Sequence, residues 1–137
     1  MKRIERYRKK IEFIIEKITK LPENLTDDEY LLDALYYRLQ ISINVLMDLI
    51  AMLCKDLGII VRDDYSNLEN LKKKLLLDNQ LIDGLRFLNG LRYVLNYKYN
   101  KIDEKLILNN KEKIKNIILE FLENLERILN EKITFRD

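Results

Sequence analysis

The sequence predicts an all-α protein, an antiparallel up-and-down bundle of four long helices and one short helix. Apolar residues make up 47% of the 137 residues, whereas the chain has only three glycines and one proline. Such a composition is rich in core material and poor in turn residues. Apolar residues also recur at spacings of three and four, the periodicity of helices with one buried face. At this length one domain is the normal size, so we expect residues 1–137 to form a single helical domain.

The first two predicted helices are separated by Pro22. The first has an apolar stripe with lysines, arginines and glutamates opposite, and this stripe comprises Ile4, Tyr7, Ile11, Ile14, Ile18 and Leu21. Pro22 ends this helix because proline cannot continue one. The second helix is expected to begin near Thr26 or Asp27, either of which could cap it, and to run to about Leu57. Gly58 then supplies a left-handed stop.

The second helix is apolar on more than one side. One stripe comprises Ala34, Leu35, Leu39, Ile43, Leu46, Ile50 and Leu53, and other faces carry Tyr36, Ile41, Val45, Met47, Leu49 and Met52. A helix of this kind lies at the centre of a bundle or is shared with a second subunit. Together with the family resemblance described below, this excess of apolar faces predicts a homodimer through the second and fourth helices.

The remaining helices are predicted from caps and periodicity. Ser66 and Glu69 have the spacing of a capping box and predict a short third helix after a loop over residues 59–65. A break near Asp78 starts the fourth helix, whose stripe comprises Leu81, Leu85, Leu88, Leu91 and Leu95. The fifth helix covers about residues 103–131.

Two glycines lie inside the fourth predicted helix, Gly84 and Gly90. Each destabilises a helix by about 1 kcal/mol relative to alanine. We therefore expect them to mark the close approach of another helix or subunit.

Composition excludes several classes of site. The chain has no histidine, and its single cysteine, Cys54, lies in an apolar segment, as expected of a small core residue in a reducing compartment. Without histidine, a carboxylate cluster or a glycine-rich loop, we expect no metal and no cofactor. With 25 basic and 23 acidic residues, any contact with RNA requires a local patch. No apolar run reaches the length of a membrane span, so we expect a soluble, cytoplasmic protein.

A small polar cluster is predicted around Arg92 on the fourth helix. Asn96 follows it by four residues and Asn89 precedes it by three, so all three share one face. If the helix continued, Tyr99 would lie on nearly the same face and Tyr97 would point elsewhere. The arginine could hold a phosphate, and exposed tyrosines could stack on bases or be modified. A structural interpretation stays open, in which Arg92 forms an ion pair and the tyrosines pack amphipathically.

The segment FLNGLRYVLNYKYNKID, residues 87–103, resembles the signature of HEPN-domain proteins of the HepT-like toxin group. In that signature an arginine, usually followed by asparagine, precedes a histidine, and a tyrosine comes two residues after the histidine. Arg92 and Tyr99 match the arginine and the tyrosine. Tyr93 replaces the asparagine, and Tyr97 replaces the histidine. Including the similar order and spacing upstream, the resemblance covers about residues 28–106 and implies a HEPN-like bundle.

The resemblance also implies an activity and a partner. The activity is metal-independent cleavage of RNA in a cleft between two subunits, where the arginine stabilises the phosphate and the histidine serves as acid or base. The partner is a minimal nucleotidyltransferase (MNT) antitoxin, which silences the toxin by attaching AMP to the motif tyrosine. Carried over, Arg92 is the catalytic phosphate-binding residue, Tyr97 occupies the base position and Tyr99 accepts AMP. Asn89 and Asn96 are the supporting polar residues.

The missing histidine lowers the expected activity. An imidazole, with a pKa of about 6.5, exchanges protons at neutral pH, whereas a phenol, with a pKa of about 10, is a poor base. Losing a general acid or base typically slows a reaction about 10²- to 10⁴-fold. We therefore predict a toxin subunit whose ribonuclease activity is weak or absent. Two alternatives are a non-catalytic binding subunit for a nucleotidyltransferase, and a helical dimer with no nucleic-acid role in which Arg92 is structural.

Overall fold

The computed structural model describes residues 2–22, 28–74 and 76–133, except for the side chain of Tyr99. Within these residues all regular structure is helical, and the fold class is the predicted one. The helices are α1 (Arg3–Thr19), α2 (Glu29–Asp56), α3 (Asp64–Lys73), α4 (Asn79–Tyr97) and α5 (Glu104–Glu131), with a 3₁₀ turn at Tyr99–Lys101. The short helix is α3, as expected. That residues 1–137 form one domain stays a prediction.

The core consists mainly of leucine and isoleucine from all five helices. Fully buried examples, one from each helix, are Ile14, Leu46, Leu68, Leu88 and Phe121. Helix α2 packs against α1, α3 and α4, which confirms its central position in the bundle. By length and composition alone α2 could cross a membrane, but half of its most apolar window is buried inside the bundle. Its apolar faces are those of a core helix.

Aspartate caps four of the five helices. The side chains of Asp28, Asp63, Asp78 and Asp103 accept backbone N–H groups in the first turns of α2, α3, α4 and α5. These bonds satisfy donors that have no partner inside the helix. The break predicted near Asp78 and the fifth helix are confirmed. The predicted caps Thr26 and Asp27 lie outside the described residues, and the observed cap of α2 is Asp28.

The capping box predicted at Ser66 and Glu69 is wrong. Asp63 caps α3 three residues earlier, because its carboxylate accepts the Ser66 N–H at 2.8 Å and also the Ser66 hydroxyl at 3.1 Å. These bonds hold the pKa of Asp63 below its usual value, the backbone bond contributing most. Glu69 is instead bound by Arg86 of α4. Ser66 and Glu69 thus form polar contacts with Asp63 and Arg86 and not with each other.

The predicted stop at Gly58 is confirmed. Its φ is +78°, in the left-handed region, and the next residue, Ile59, donates its N–H to the carbonyl of Cys54 at 2.9 Å. Cys54 is fully buried, and burial raises the pKa of its thiol to about 11. It is the core residue that the sequence predicted.

The two glycines of α4 differ. A methyl group added to Gly84 would lie 3.1–3.2 Å from three side-chain atoms of Ile117, so α4 and α5 approach closely there. The same group on Gly90 would meet nothing within 4 Å. The predicted close approach is confirmed for Gly84 and is not found inside the chain for Gly90.

Candidate functional site around Arg92

Two ion pairs hold α3 along α4. At the start of α3, Asp64 accepts from Arg92, with Nη2 and Oδ2 2.5 Å apart. Farther along α3, Glu69 is bound by Arg86. Because the later residue on α3 pairs with the earlier residue on α4, the two helices run antiparallel. Asp64 thereby places the guanidinium of Arg92 where the start of α3 meets the C-terminal half of α4.

Asp64 orients the guanidinium of Arg92 but does not occupy all of its N–H donors. An arginine has five N–H donors, and Asp64 accepts from one terminal nitrogen. The Nε atom is buried without a partner in the described part of the chain, while 26% of the side chain is exposed. A planar, permanently charged group of this kind binds phosphate oxygens in a fixed geometry. Asp64 can therefore hold Arg92 ready for an anion, although its carboxylate also competes with that anion.

Asn96 connects α4 to α2 rather than to Arg92. Its Nδ2 donates to Asn44 Oδ1 at 3.1 Å, and Asn44 donates back at 3.5 Å. Asn89 is half-buried and forms no hydrogen bond with Arg92 within the described residues. The structure thus keeps the predicted spacing on α4 but does not bring the three side chains into one hydrogen-bonded cluster.

The sequence did not predict the partners of Arg92 and Asn96, which are Asp64 and Asn44. Asp64 is 28 residues from Arg92, and Asn44 is 52 residues from Asn96. No periodicity within one helix can indicate such pairs, because they depend on how helices pack against each other.

The C-terminal end of α4 carries an exposed aromatic pair. Tyr93 and Tyr97 are 53% and 65% exposed, and their ring centroids lie 5.3 Å apart with the planes tilted by 49°. Their spacing of four places them together on one face of the helix. Neither hydroxyl forms a hydrogen bond to another described residue. The two rings therefore offer an accessible stacking surface and accessible phenols.

Tyr99 does not lie on α4. The helix ends at Tyr97, Lys98 is its C-cap, and Tyr99 begins the 3₁₀ turn. The helix therefore does not continue far enough to return Tyr99 to the face of Arg92. The chain must reverse here because Asp103 caps α5 only a few residues later. Since the side chain of Tyr99 is outside the described part of the structure, its role as AMP acceptor stays a prediction.

The described residues form no cluster of metal-ligating side chains. No group of three or more His, Cys, Asp or Glu side chains converges among them. Metal-independent chemistry and the lack of a cofactor stay predictions that rest on the sequence.

Comparison with known proteins identifies relatives over nearly the whole chain. The family model described as Ribonuclease HepT-like matches residues 4–131. An Archaeoglobus fulgidus protein named "Putative RNase" is 44% identical over 132 residues, which are 96% of this chain and 98% of that protein.

Solved toxin–antitoxin structures share the fold. The MntA-HpeT toxin–antitoxin, solved as a point mutant, superposes with a TM-score of 0.78 at 16% identity, covering 88% of this chain and 97% of the other. A tri-AMPylated HEPN toxin from Shewanella oneidensis, in complex with an MNT antitoxin, gives a TM-score of 0.76 at 18% identity, covering 88% and 96%. At this low identity the likeness shows a common fold. The family match over residues 4–131 goes further, and this chain belongs to the HepT-like ribonuclease family of HEPN proteins.

Proposed function

We propose that this chain is the HEPN subunit of a toxin–antitoxin pair and that its RNA-cleaving step is impaired. The observation that carries the proposal is the contrast between two positions of the family signature. Arg92 is retained and is oriented by Asp64. Tyr97 stands where the signature has histidine, and the chain has no other histidine to replace it.

Arg92 has the properties required of a phosphate-binding residue. Its guanidinium is anchored on one side and partly exposed on the other. Because the anchoring carboxylate restricts the rotation of the Arg92 side chain, less conformational entropy is lost when a phosphate binds. Tyr97, at the end of the same helix and 65% exposed, supplies a ring on which an RNA base can stack.

Tyr97 lacks the means to replace a histidine. Its phenol is 65% exposed, and its contact within the described residues is the ring of Tyr93. Among the described residues, no carboxylate, lysine or arginine is hydrogen-bonded to it to assist proton transfer. A phenol in this setting is a poor general base at neutral pH, so RNA is bound without being cut efficiently.

Cleavage of cellular RNA by purified protein tests the catalytic part of the proposal. We expect Tyr97→His to raise the cleavage rate about 10²-fold or more at neutral pH, because it restores a general acid or base. Tyr97→Phe is the matched control and should cleave no better than the unaltered chain. Adding Arg92→Ala to the Tyr97→His variant should abolish the gain. Rapid cleavage by the unaltered chain that Arg92→Ala removes would contradict the impairment.

We also propose that the chain forms a homodimer through α2 and α4. Both helices expose large aromatic side chains to solvent, namely Tyr30 (84%) and Tyr37 (56%) on α2 and Tyr93 (53%) on α4. Exposed aromatic groups of this size are common at subunit interfaces. Light scattering should give twice the mass of the chain, and Tyr93→Glu should shift the mass toward the monomer. Tyr65→Glu, on α3, is the control that should leave the dimer intact.

We also propose that the partner of this chain is a minimal nucleotidyltransferase antitoxin. The related Shewanella oneidensis toxin is AMPylated and bound to an MNT antitoxin. In this chain the phenol oxygen of Tyr99 would attack the α-phosphorus of ATP. A phosphodiester to AMP forms, pyrophosphate leaves and the phenol proton passes to solvent. Incubation with the partner and ATP should add AMP masses to the intact protein, Tyr99→Phe should prevent this, and Tyr97→Phe should not.

The replacement of histidine at position 97 also favours a second candidate, a non-catalytic binding subunit for a nucleotidyltransferase. Under this alternative the chain forms a stable complex with the partner, but its mass stays unchanged with ATP. Tyr97→His would then produce no ribonuclease. The two measurements above therefore separate the alternatives.

A further inference from the structure

We propose that a groove along the outer side of α3 binds a single strand of RNA next to Arg92. The groove has a volume of about 580 Å³ and lies between the loop that connects α2 to α3 and the exposed side of α3. Its lining includes Ile60, Arg62, Tyr65, Lys73 and Lys74. The inference rests on the proposed function for the role of Arg92, but it concerns binding and does not require cleavage.

The groove lining carries more positive than negative charge, although Arg62 interacts electrostatically with the neighbouring Asp63. Arg62, Lys73 and Lys74 form no salt bridge to any described residue, and the last two are exposed at the end of α3. Among the described lining residues the acidic side chain is Glu69, which is paired with Arg86, a residue that also pairs with Asp83. In a chain whose net charge is only +2, this is a local concentration of cations. Such a patch attracts a polyanion and releases counterions from it.

An exposed aromatic ring lies among these cations. Tyr65 is 60% exposed, and the guanidinium carbon of Arg86 lies 6.0 Å from its ring centroid. Ile60, on the neighbouring loop, is 73% exposed. Neither side chain is among those that pack against the hydrophobic core. Cations interleaved with an exposed ring and an apolar side chain are the arrangement that binds phosphates and stacks unpaired bases.

The wall of the groove is held in place by a buried asparagine. Asn67 is fully buried, accepts the backbone N–H of Arg62 at 2.8 Å and donates to the carbonyl of Arg62 at 3.2 Å. These bonds fix the loop that carries Arg62 and Ile60. A surface that is already ordered loses little entropy when a ligand binds.

The groove adjoins the site around Arg92 along α3. Tyr65 directly follows Asp64, and Asp64 holds the guanidinium of Arg92. Arg86 contacts both Glu69 and the ring of Tyr65 from the same helix as Arg92. A strand whose base stacks on Tyr65 can therefore place a neighbouring phosphate near Arg92. Stacking requires an unpaired base, which favours single-stranded over double-stranded RNA and over an acidic protein.

Binding of a fluorescent twelve-nucleotide polyuridine by the full chain at several salt concentrations tests this inference. Replacing Lys73 and Lys74 together by glutamine should weaken binding roughly 10-fold at low salt and reduce the salt slope by about 1.4, since each phosphate contact contributes about 0.7. The matched control, Lys105→Gln with Lys115→Gln on α5, removes the same charge and should bind as the unaltered chain does. Circular dichroism on each variant verifies folding.

The Tyr65→Ala variant tests the contribution of base stacking. It should weaken binding about 10-fold through loss of stacking while leaving the salt slope unchanged. A polyuridine affinity that is the same in the Lys73 and Lys74 variant as in the α5 control would overturn the inference. So would an unchanged affinity in Tyr65→Ala, or equal affinity for a double-stranded RNA, which would indicate a general polyanion surface such as one for an acidic protein. Because no cleavage and no antitoxin enter this assay, its failure is distinguishable from failure of the proposed function.

Discussion

Two places where arginine, aspartate and tyrosine lie near one another differ in how far the tyrosines are buried. Where α1 meets the end of α2, Asp56 accepts from the Tyr7 hydroxyl at 2.6 Å and from Arg3 Nε at 2.9 Å. Tyr7 is fully buried, and Arg3 also lies over its ring. There one carboxylate accepts from both other side chains, and the cluster joins two helices.

Where α3 meets α4, the same residue types are arranged differently. Asp64 binds Arg92, but the neighbouring tyrosines, Tyr93 and Tyr97, are more than half exposed and lie against each other. A buried phenol must be hydrogen-bonded, whereas an exposed phenol is free to meet a ligand. The contrast teaches that residue type alone does not separate a structural cluster from a candidate binding site.

The largest expected effect in this comparison is on stability. Tyr7→Phe removes a hydrogen bond to a carboxylate at a fully buried position and should lower the free energy of unfolding by about 2 kcal/mol. Tyr97→Phe makes the same chemical change at an exposed position and should alter it by less than about 0.5 kcal/mol. Urea denaturation at neutral pH measures both. Equal effects from the two variants would break the comparison.

A smaller effect is expected in the pH dependence of the free energy of unfolding, and it sharpens the comparison. Burial, and next the hydrogen bond to Asp56, raise the pKa of Tyr7 above its ordinary value. A raised pKa contributes stability that is present below the unfolded-state value of about 10 and is lost as the pH rises above it. The deficit of Tyr7→Phe relative to the unaltered chain should therefore shrink above pH 10, by about 1.4 kcal/mol per pH unit. A deficit that stays constant up to pH 11 would show that the phenol ionises alike in both states.

The smallest expected effect applies the same contrast of buried and open positions to the glycines of α4. Gly90→Ala should raise stability by about 0.5–1 kcal/mol, because alanine favours the helix and nothing lies within 4 Å of the added methyl. Gly84→Ala should be about 1–2 kcal/mol less stable than Gly90→Ala, because the branched Ile117 must move. Thermal or urea unfolding of the pair decides this. A Gly84→Ala variant as stable as Gly90→Ala would mean that Ile117 relaxes freely.

Much of the fold could be predicted because its signals are local. The periodicity of leucines and isoleucines predicted all five helices. Gly58 correctly predicted the end of α2, and the break at Asp78 correctly predicted the start of α4. The start of α3 could not be predicted correctly, since Asp63 and Ser66 both have the chemistry of a cap. Asp63 is the observed cap, and Glu69 is bound by Arg86 of another helix.

For the candidate site, the sequence alone determined the residue types on α4 and the family to which the chain belongs. It placed Arg92, Tyr97 and Tyr99 in the signature. Only the tertiary structure decided their surroundings, namely that Asp64 orients Arg92, that Asn96 pairs with Asn44, and that α4 ends before Tyr99. The physical reason is the distance along the sequence over which each kind of interaction acts. Helical periodicity and caps act over a few residues, whereas ion pairs between helices, burial and the end of α4 depend on segments distant in sequence packing against one another.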